Sequence, residues 1–173
     1  NTEGNGTKMS EKLKFRFAKA EDSSKILYFI KELAKYVKME DKVTATEEMI
    51  REKIFKKERA EIIFVLEGDK EVGFALFFTT FSSFTCKENI YLEDLVILSE
   101  YRGKGYGRAM LKYLASLTVE RNCDKLKWDC LNWNKSSMDF YLSLGAEPIN
   151  DSTVYALSGD ALQKMGKIKS DII

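Results

Sequence analysis

The stretch Tyr91-Leu92-Glu93-Asp94-Leu95-Val96-Ile97-Leu98-Ser99-Glu100-Tyr101-Arg102-Gly103-Lys104-Gly105-Tyr106-Gly107 decides how this chain is read. It begins as a largely apolar run with strand composition. Glycines at 103, 105 and 107 then break the run, and Met110, Leu111, Leu114, Leu117 and Thr118 recur beyond them at helical spacing. A strand therefore feeds a glycine-rich turn that opens into an amphipathic helix, expected over about 105–122. Glycine lets backbone approach a ligand closely. The first amides of a helix lack intrahelical partners and, with the helix dipole, make an anion site. Arg102, Lys104 and Arg108 add positive charge, although Lys104 and Arg108 suit a solvated helix start nearly as well. A G-x-x-x-x-G-K-[ST] phosphate loop does not fit, and neither does a G-x-G-x-x-G dinucleotide fingerprint, because the glycine spacing is wrong for both.

Outward from this turn the chain alternates strands and helices. Strands are expected at 13–17, 62–66, 72–78, 90–98, 126–131 and 154–157. Helices are expected after the capping and first-turn residues Glu21-Asp22-Ser23, where Ile26, Ile30, Leu33 and Val37 recur at helical spacing, from 44–46 onward, at 136–144 and at 160–165. Thr44 and Glu47 could form a capping box, and Gly145 stops the helix before it. The run 72–78 is apolar throughout, as in a strand covered on both faces. The order β-α-α-β-β-β-α-β-α-β is that of an α/β fold. Residues 1–8 read as a disordered extension or vector-derived remnant, with Met9 the natural start, and 9–173 as a single domain.

Composition narrows the chemistry. The 173 residues are 45% hydrophobic, enough for one packed core. Lys and Arg number 28 against 27 Asp and Glu, so no global field draws the protein to nucleic acid or to a membrane. Histidine is absent, which excludes Ser-His and Cys-His nucleophilic mechanisms and argues against a zinc hydrolase. No metal is expected. Cys86, Cys123 and Cys130 are odd in number and form no C-x-x-C pair, so a reducing cytoplasm is the simplest setting. No apolar stretch reaches membrane-spanning length.

Four stretches carry a family resemblance. Arg102, Gly105 and Gly107 make R-x-x-G-x-G. Downstream, Trp133-Asn134-Lys135-Ser136-Ser137 leads into Phe140-Tyr141 and then Gly145-Ala146. Tyr91-Leu92-Glu93-Asp94 and Ile30-Lys31-Glu32-Leu33-Ala34-Lys35-Tyr36 complete the set. From about Leu13 onward the chain resembles the GNAT N-acetyltransferases, most of all the spermidine/spermine (diamine) and thialysine group.

The resemblance implies a mixed, splayed sheet of about seven strands flanked by helices, with acetyl-CoA as cosubstrate. It implies a pyrophosphate site at Arg102, Gly103, Lys104, Gly105, Tyr106, Gly107 and Arg108. The pantetheine arm would add like a strand to the backbone of Leu95, Val96 and Ile97. Asn134, Lys135, Ser136 and Ser137 would form the other wall. Tyr141 would be the general acid and Glu93 the base, acting through water. Glu93 and Asp94, with Asp129 on the next expected strand, would form an acidic patch for a cationic amine, and Tyr36 would line it. Adjacent strand residues point to opposite faces, so only one of Glu93 and Asp94 should face the site.

The expected reaction is direct acetyl transfer to a primary amine of a small diamine, polyamine or thialysine-like amino acid, by a cytoplasmic homodimer. A protein lysine or N-terminal acetyltransferase and a non-catalytic acyl-CoA sensor stand as alternatives, and a nucleotide or NAD enzyme is the runner-up from motif reading alone. Val37, Phe84 and Val154 stand where polyamine-acetylating members carry an acidic residue and two tryptophans, so a shorter diamine, a thialysine-like amino acid or another small amine stands level with spermidine as the expected acceptor.

Overall fold

The computed structural model describes residues 13–167, so the expected extension at 1–8 and the start at Met9 lie outside the described residues. The chain divides into two compact units between Asp129 and Cys130. Among the described residues no helix is long and apolar enough to cross a membrane.

The first unit holds β1 (Lys14–Phe17), α1 (Ser23–Val37), α2 (Glu47–Ile50, continued by a π-helical stretch Arg51–Lys56), β2 (Glu61–Glu67), β3 (Lys70–Ser82), β4 (Lys87–Ile97), α3 (Tyr106–Glu120) and β5 (Leu126–Trp128). The sheet runs in the order β1-β2-β3-β4-β5. Short connections make β2, β3 and β4 antiparallel neighbours, whereas the crossover through α3 makes β4 and β5 parallel.

Register assigns the faces. Phe64 opposes Phe74, which opposes Val96. These side chains share a core with Ile26 and Phe29 of α1 and Ile50 of α2. The Phe29 ring lies 5.7 Å from Phe64 and 5.3 Å from Phe74. The opposite face carries Ile63, Val65, Ala75, Phe77, Ile90 and Leu92 and is covered by α3, whose Met110 and Leu114 are fully buried. Tyr113 of α3 stacks on Phe15 at 4.6 Å. At one edge Arg16 bonds Asp22 at 2.8 Å and Glu71 at 2.5 Å, tying β1 to the start of α1 and to β3. The Arg16 hydrogen bonds hold the Asp22 carboxyl down to about 2.

One irregularity sets the geometry of β4. Leu76 opposes Asp94 and Phe77 opposes Leu92, so Glu93 is an extra residue, a β-bulge. The bulge reverses the alternation. Leu92 falls on the α3 face with Phe77, whereas Asp94 joins Leu76 on the α1/α2 face. Tyr91, opposite Phe78, is on that same α1/α2 face.

Gly73 is required for space. A Cβ there would lie 2.4 Å from Ile97 Cδ1 and 2.7 Å from the Val96 carbonyl oxygen. The isoleucine tip can rotate but the carbonyl cannot, so Gly73→Ala is expected to cost about 1–3 kcal/mol. The check is a lower urea midpoint at unchanged m-value.

The second unit holds α4 (Lys135–Ser143) and α5 (Gly159–Met165). Four expectations need correction. Among the described residues the sheet has five strands, not about seven. The strand expected at 154–157 does not form: Val154 is 94% and Tyr155 90% exposed, and an apolar run without a neighbouring ladder has no partner for its backbone. The strand expected over 126–131 stops at Trp128, which pairs with Leu92, the residue just before the bulge that bends β4. The helix expected from 44–46 is capped by Thr46, whose hydroxyl accepts from the Met49 amide at 3.2 Å, rather than by a Thr44–Glu47 box. Gly145 does end α4, at φ +86°.

Candidate functional site

The glycine turn leaves β4 through a single 3-10 turn, Ser99–Tyr101, and enters α3. Gly103 and Gly105 hold φ of +76° and +84°, a left-handed conformation that side chains resist. A Cβ at either position would meet nothing within 4 Å, so it is the backbone conformation that demands glycine. Gly105 is the N-cap of the 15-residue α3 and supplies no side-chain cap, so no side chain competes for the first amides of the helix. An open turn, uncapped amides and the positive end of a four-turn helix fit a pyrophosphate.

The basic side chains around the turn are differently occupied. Arg102 Nε donates to the Ile97 carbonyl at 2.9 Å, and its guanidinium lies 4.8 Å over the Tyr36 ring at the end of α1. Lys104 pairs with Glu67 of β2 at 3.1 Å, and the Tyr106 hydroxyl also donates to Glu67. These bonds, that of Tyr106 first, hold the Glu67 carboxyl below its usual range. Arg108 is exposed on the first turn of α3. Of the cations expected at the anion site, Lys104 is thus engaged by a carboxylate that sequence reading overlooked.

Leu95, Val96 and Ile97 follow the bulge. The β4–β5 ladder ends at Leu92, so β4 beyond it has no strand partner on that side within the first unit. Leu95 and Ile97 are half-buried on the α3 face and Val96 is buried on the other. Their backbone edge, rather than their side chains, is what a ligand would meet.

The acidic residues gather on the α1/α2 face. Asp94 is half-buried, and burial first, then the charge of Glu93, pushes its carboxyl up to about 6. Glu93, the bulge residue, is exposed. Asp129 accepts a hydrogen bond from the Tyr91 hydroxyl. Burial and then that bond push the Tyr91 phenol up to about 12, and its ring stacks on Phe78 at 5.3 Å. Tyr91 and Asp129 are therefore bonded to each other, and Asp94 lies on the same face as Tyr91, with the charge of Glu93 acting on both. Tyr36 is drawn instead to Arg102. Tyr91 was legible as a strand residue and as part of the Tyr91–Asp94 stretch but not as a bonding group of the site, since its partner lies 38 positions away.

In the second unit Asn134 caps α4, its Oδ1 accepting from the Ser137 amide at 3.2 Å. Lys135 pairs with Asp139 at 3.1 Å, Ser136 is exposed and Ser137 half-buried. Tyr141 is half-buried two turns along the helix, its ring 5.5 Å from that of Phe140. Burial raises the Cys123 and Cys130 thiols, so neither is poised as a nucleophile. Of the departures noted in the sequence, Val37 is the last residue of α1, Phe84 sits fully exposed in the β3–β4 turn and Val154 is exposed.

Comparison with known proteins adds a lineage. The profile of the acetyltransferase (GNAT) family matches residues 26–146. Thialysine N-epsilon-acetyltransferase of Bos taurus is 33% identical over 162 residues, covering 87% of this chain and 95% of that protein. Spermidine/spermine N(1)-acetyltransferase-like protein 1 of Homo sapiens is 32% identical over 139 residues, 76% of this chain and 20% of that one. Among solved structures, an integron cassette protein from the mobile metagenome of V. cholerae aligns at a TM-score of 0.78 with 28% identity, covering 92% of this chain and 99% of its own.

Proposed function

Because the chain belongs to the acetyltransferase (GNAT) family and is an acyltransferase of that family, we propose that it moves an acetyl group from acetyl-CoA to the terminal primary amine of a small molecule: a diamine, a polyamine or a thialysine-like amino acid. The observation that carries this reading is the bulge at Glu93, which sets a half-buried carboxylate, Asp94, on the same face as the Asp129-bonded Tyr91 just where the β4 edge opens. The name of the bovine relative, a thialysine N-epsilon-acetyltransferase, and that of the human one, a spermidine/spermine N(1)-acetyltransferase-like protein, support it.

Acetyl-CoA supplies the activated acetyl thioester. In the first unit the backbone of 95–97 and the turn from Arg102 to Arg108 would hold it. In the second, Asn134, Lys135, Ser136 and Ser137 would take the same role. An amine with a pKa of about 10 must lose a proton before it can attack. Asp94, held near 6, is ionised at neutral pH yet basic enough to accept that proton through water, and this places it ahead of the expected Glu93. Glu93, exposed beside it, raises its proton affinity and offers a route to solvent. Asp129 and Tyr91 extend the negative surface that would attract a cation. Tyr141 would deliver a proton from its hydroxyl to the departing sulfur. The proposal includes a homodimer, checked by light scattering, and a cytoplasmic setting, which the three free cysteines favour.

The test is release of CoA thiol from acetyl-CoA with a panel of putrescine, spermidine, spermine, thialysine, lysine and a lysine-bearing peptide. Release with small amines and not the peptide is expected. Release with the peptide alone would make this a protein acetyltransferase, and CoA binding without release would make it a sensor.

A further inference from the structure

At the end of the β3–β4 hairpin remote from the glycine turn lies an open cavity of about 570 Å³, lined among others by Thr80, Asn89, Tyr91, Lys125 and Lys127. Nothing in the acetyl-transfer chemistry calls for these residues, apart from Tyr91. Asn89 is only 6% exposed, yet its Oδ1 has no hydrogen-bond partner, and neither has the hydroxyl of Thr80, its opposite number on β3. A buried acceptor without a donor is costly to a fold unless something else completes it. Two cations stand at the same cavity. Asp124, the carboxylate that lines it, is held by Lys87 at 3.2 Å, and among the described residues neither Lys125 nor Lys127 has a carboxylate at ion-pair distance.

Orphaned oxygens beside unpaired ammonium groups match a zwitterion. Resting on the acetyltransferase reading above, we propose that this cavity binds the head group of an amino acid whose terminal amine is acetylated, with its carboxylate on Lys127 and Lys125 and its α-ammonium on Asn89 Oδ1 and Thr80 Oγ1. A polyamine fits less well here, because its distal ammonium would approach two lysines, and Asp124, the carboxylate that lines the cavity, already pairs with Lys87.

The distances agree. Tyr91 lines the cavity and shares a face with Asp94. Leu76, the partner of Asp94, stands four residues from Thr80, the partner of Asn89, roughly 13 Å at the usual strand rise. Six bonds of about 1.5 Å, as between the terminal amine and the carboxyl carbon of a lysine-length amino acid, span roughly 8 Å when extended. With a hydrogen bond of about 3 Å at either end, one end of such a molecule can reach the water around Asp94 while the other enters the cavity.

The test uses acceptor pairs that differ only in the carboxylate: L-lysine against 1,5-diaminopentane, and L-ornithine against 1,4-diaminobutane. The protein should prefer the amino acid in each pair by about tenfold or more in kcat/KM, through KM, the worth of one charged hydrogen bond. Lys127→Met should erase that preference and, by calorimetry, weaken L-lysine binding about tenfold. Lys125→Met serves if the first variant fails to fold. Equal use of both members of each pair, or a preference that survives both substitutions, overturns the inference while leaving small-amine acetylation intact. If no amine is acetylated but L-lysine still binds and Lys127→Met abolishes that binding, the cavity assignment stands and the acetyltransferase reading falls. Absence of both turnover and L-lysine binding sinks the cavity assignment too.

Discussion

Replacing Asp94 by asparagine should lower kcat/KM about a hundredfold and flatten the acid limb of its pH profile. The parent carboxyl, lifted from 3.8 to about 6, accepts protons only when ionised, so parent activity should climb through about pH 6. An asparagine has no such ionisation. The rise at alkaline pH, which belongs to the acceptor amine, should remain in both proteins. The same substitution should stabilise the fold, and the sign can be worked out. The folded pKa lies above the unfolded one, so the group's contribution is complete below about pH 3.8 and is lost as pH rises through about 6. At pH 7.5 the ionised carboxyl costs on the order of 3 kcal/mol. Asp94→Asn should therefore melt higher than the parent at pH 7.5 and level with it near pH 3.5. A less active, more stable variant is the signature of a strained catalytic carboxylate. If the variant keeps the parental pH profile, the base is Glu93, and Glu93→Gln should then show the loss.

What could be read from the sequence was local, and what could not was set by pairing. The glycine turn was legible because Gly103 and Gly105 need a left-handed backbone that their neighbours do not dictate. Gly145 announced the end of α4 for the same reason. The bulge at Glu93 left no trace, because Ile90, Leu92, Asp94 and Val96 keep the two-residue period whether or not one residue is looped out. Only the register of β4 against β3 reveals it. The expectation that Glu93 and Asp94 occupy opposite faces assumed an unbroken strand. Lys104 read as a free cation because Glu67, its partner, lies 37 positions earlier. Val154 and Tyr155 read as a strand because apolar composition says nothing about whether a neighbour is in place.

Removing the hydroxyl of Tyr141 should lower kcat about a hundredfold, the low end for a general acid, while acetyl-CoA binding by calorimetry stays at the parental value. The low end follows from the leaving group. A thiol of pKa about 8.5 departs as thiolate far more readily than an amine or alcohol, so a proton donor helps it only moderately. A phenol of pKa about 10 is nonetheless fully protonated at neutral pH and always available to give that proton. Phenylalanine keeps the ring, and with it the packing against Phe140, so the helix should not suffer. Tyr141 lies seven residues beyond the Asn134 cap, two turns of α4, which sets the hydroxyl and the cap on one side of the helix. Binding assigned to the cap region and chemistry assigned to the hydroxyl can therefore be separated by substitution. Tyr141→Phe should move kcat alone, whereas Asn134→Ala, which frays the first turn, should weaken acetyl-CoA binding. A Tyr141→Phe protein that turns over at the parental rate would end the general-acid assignment, and water at the thiolate would then suffice.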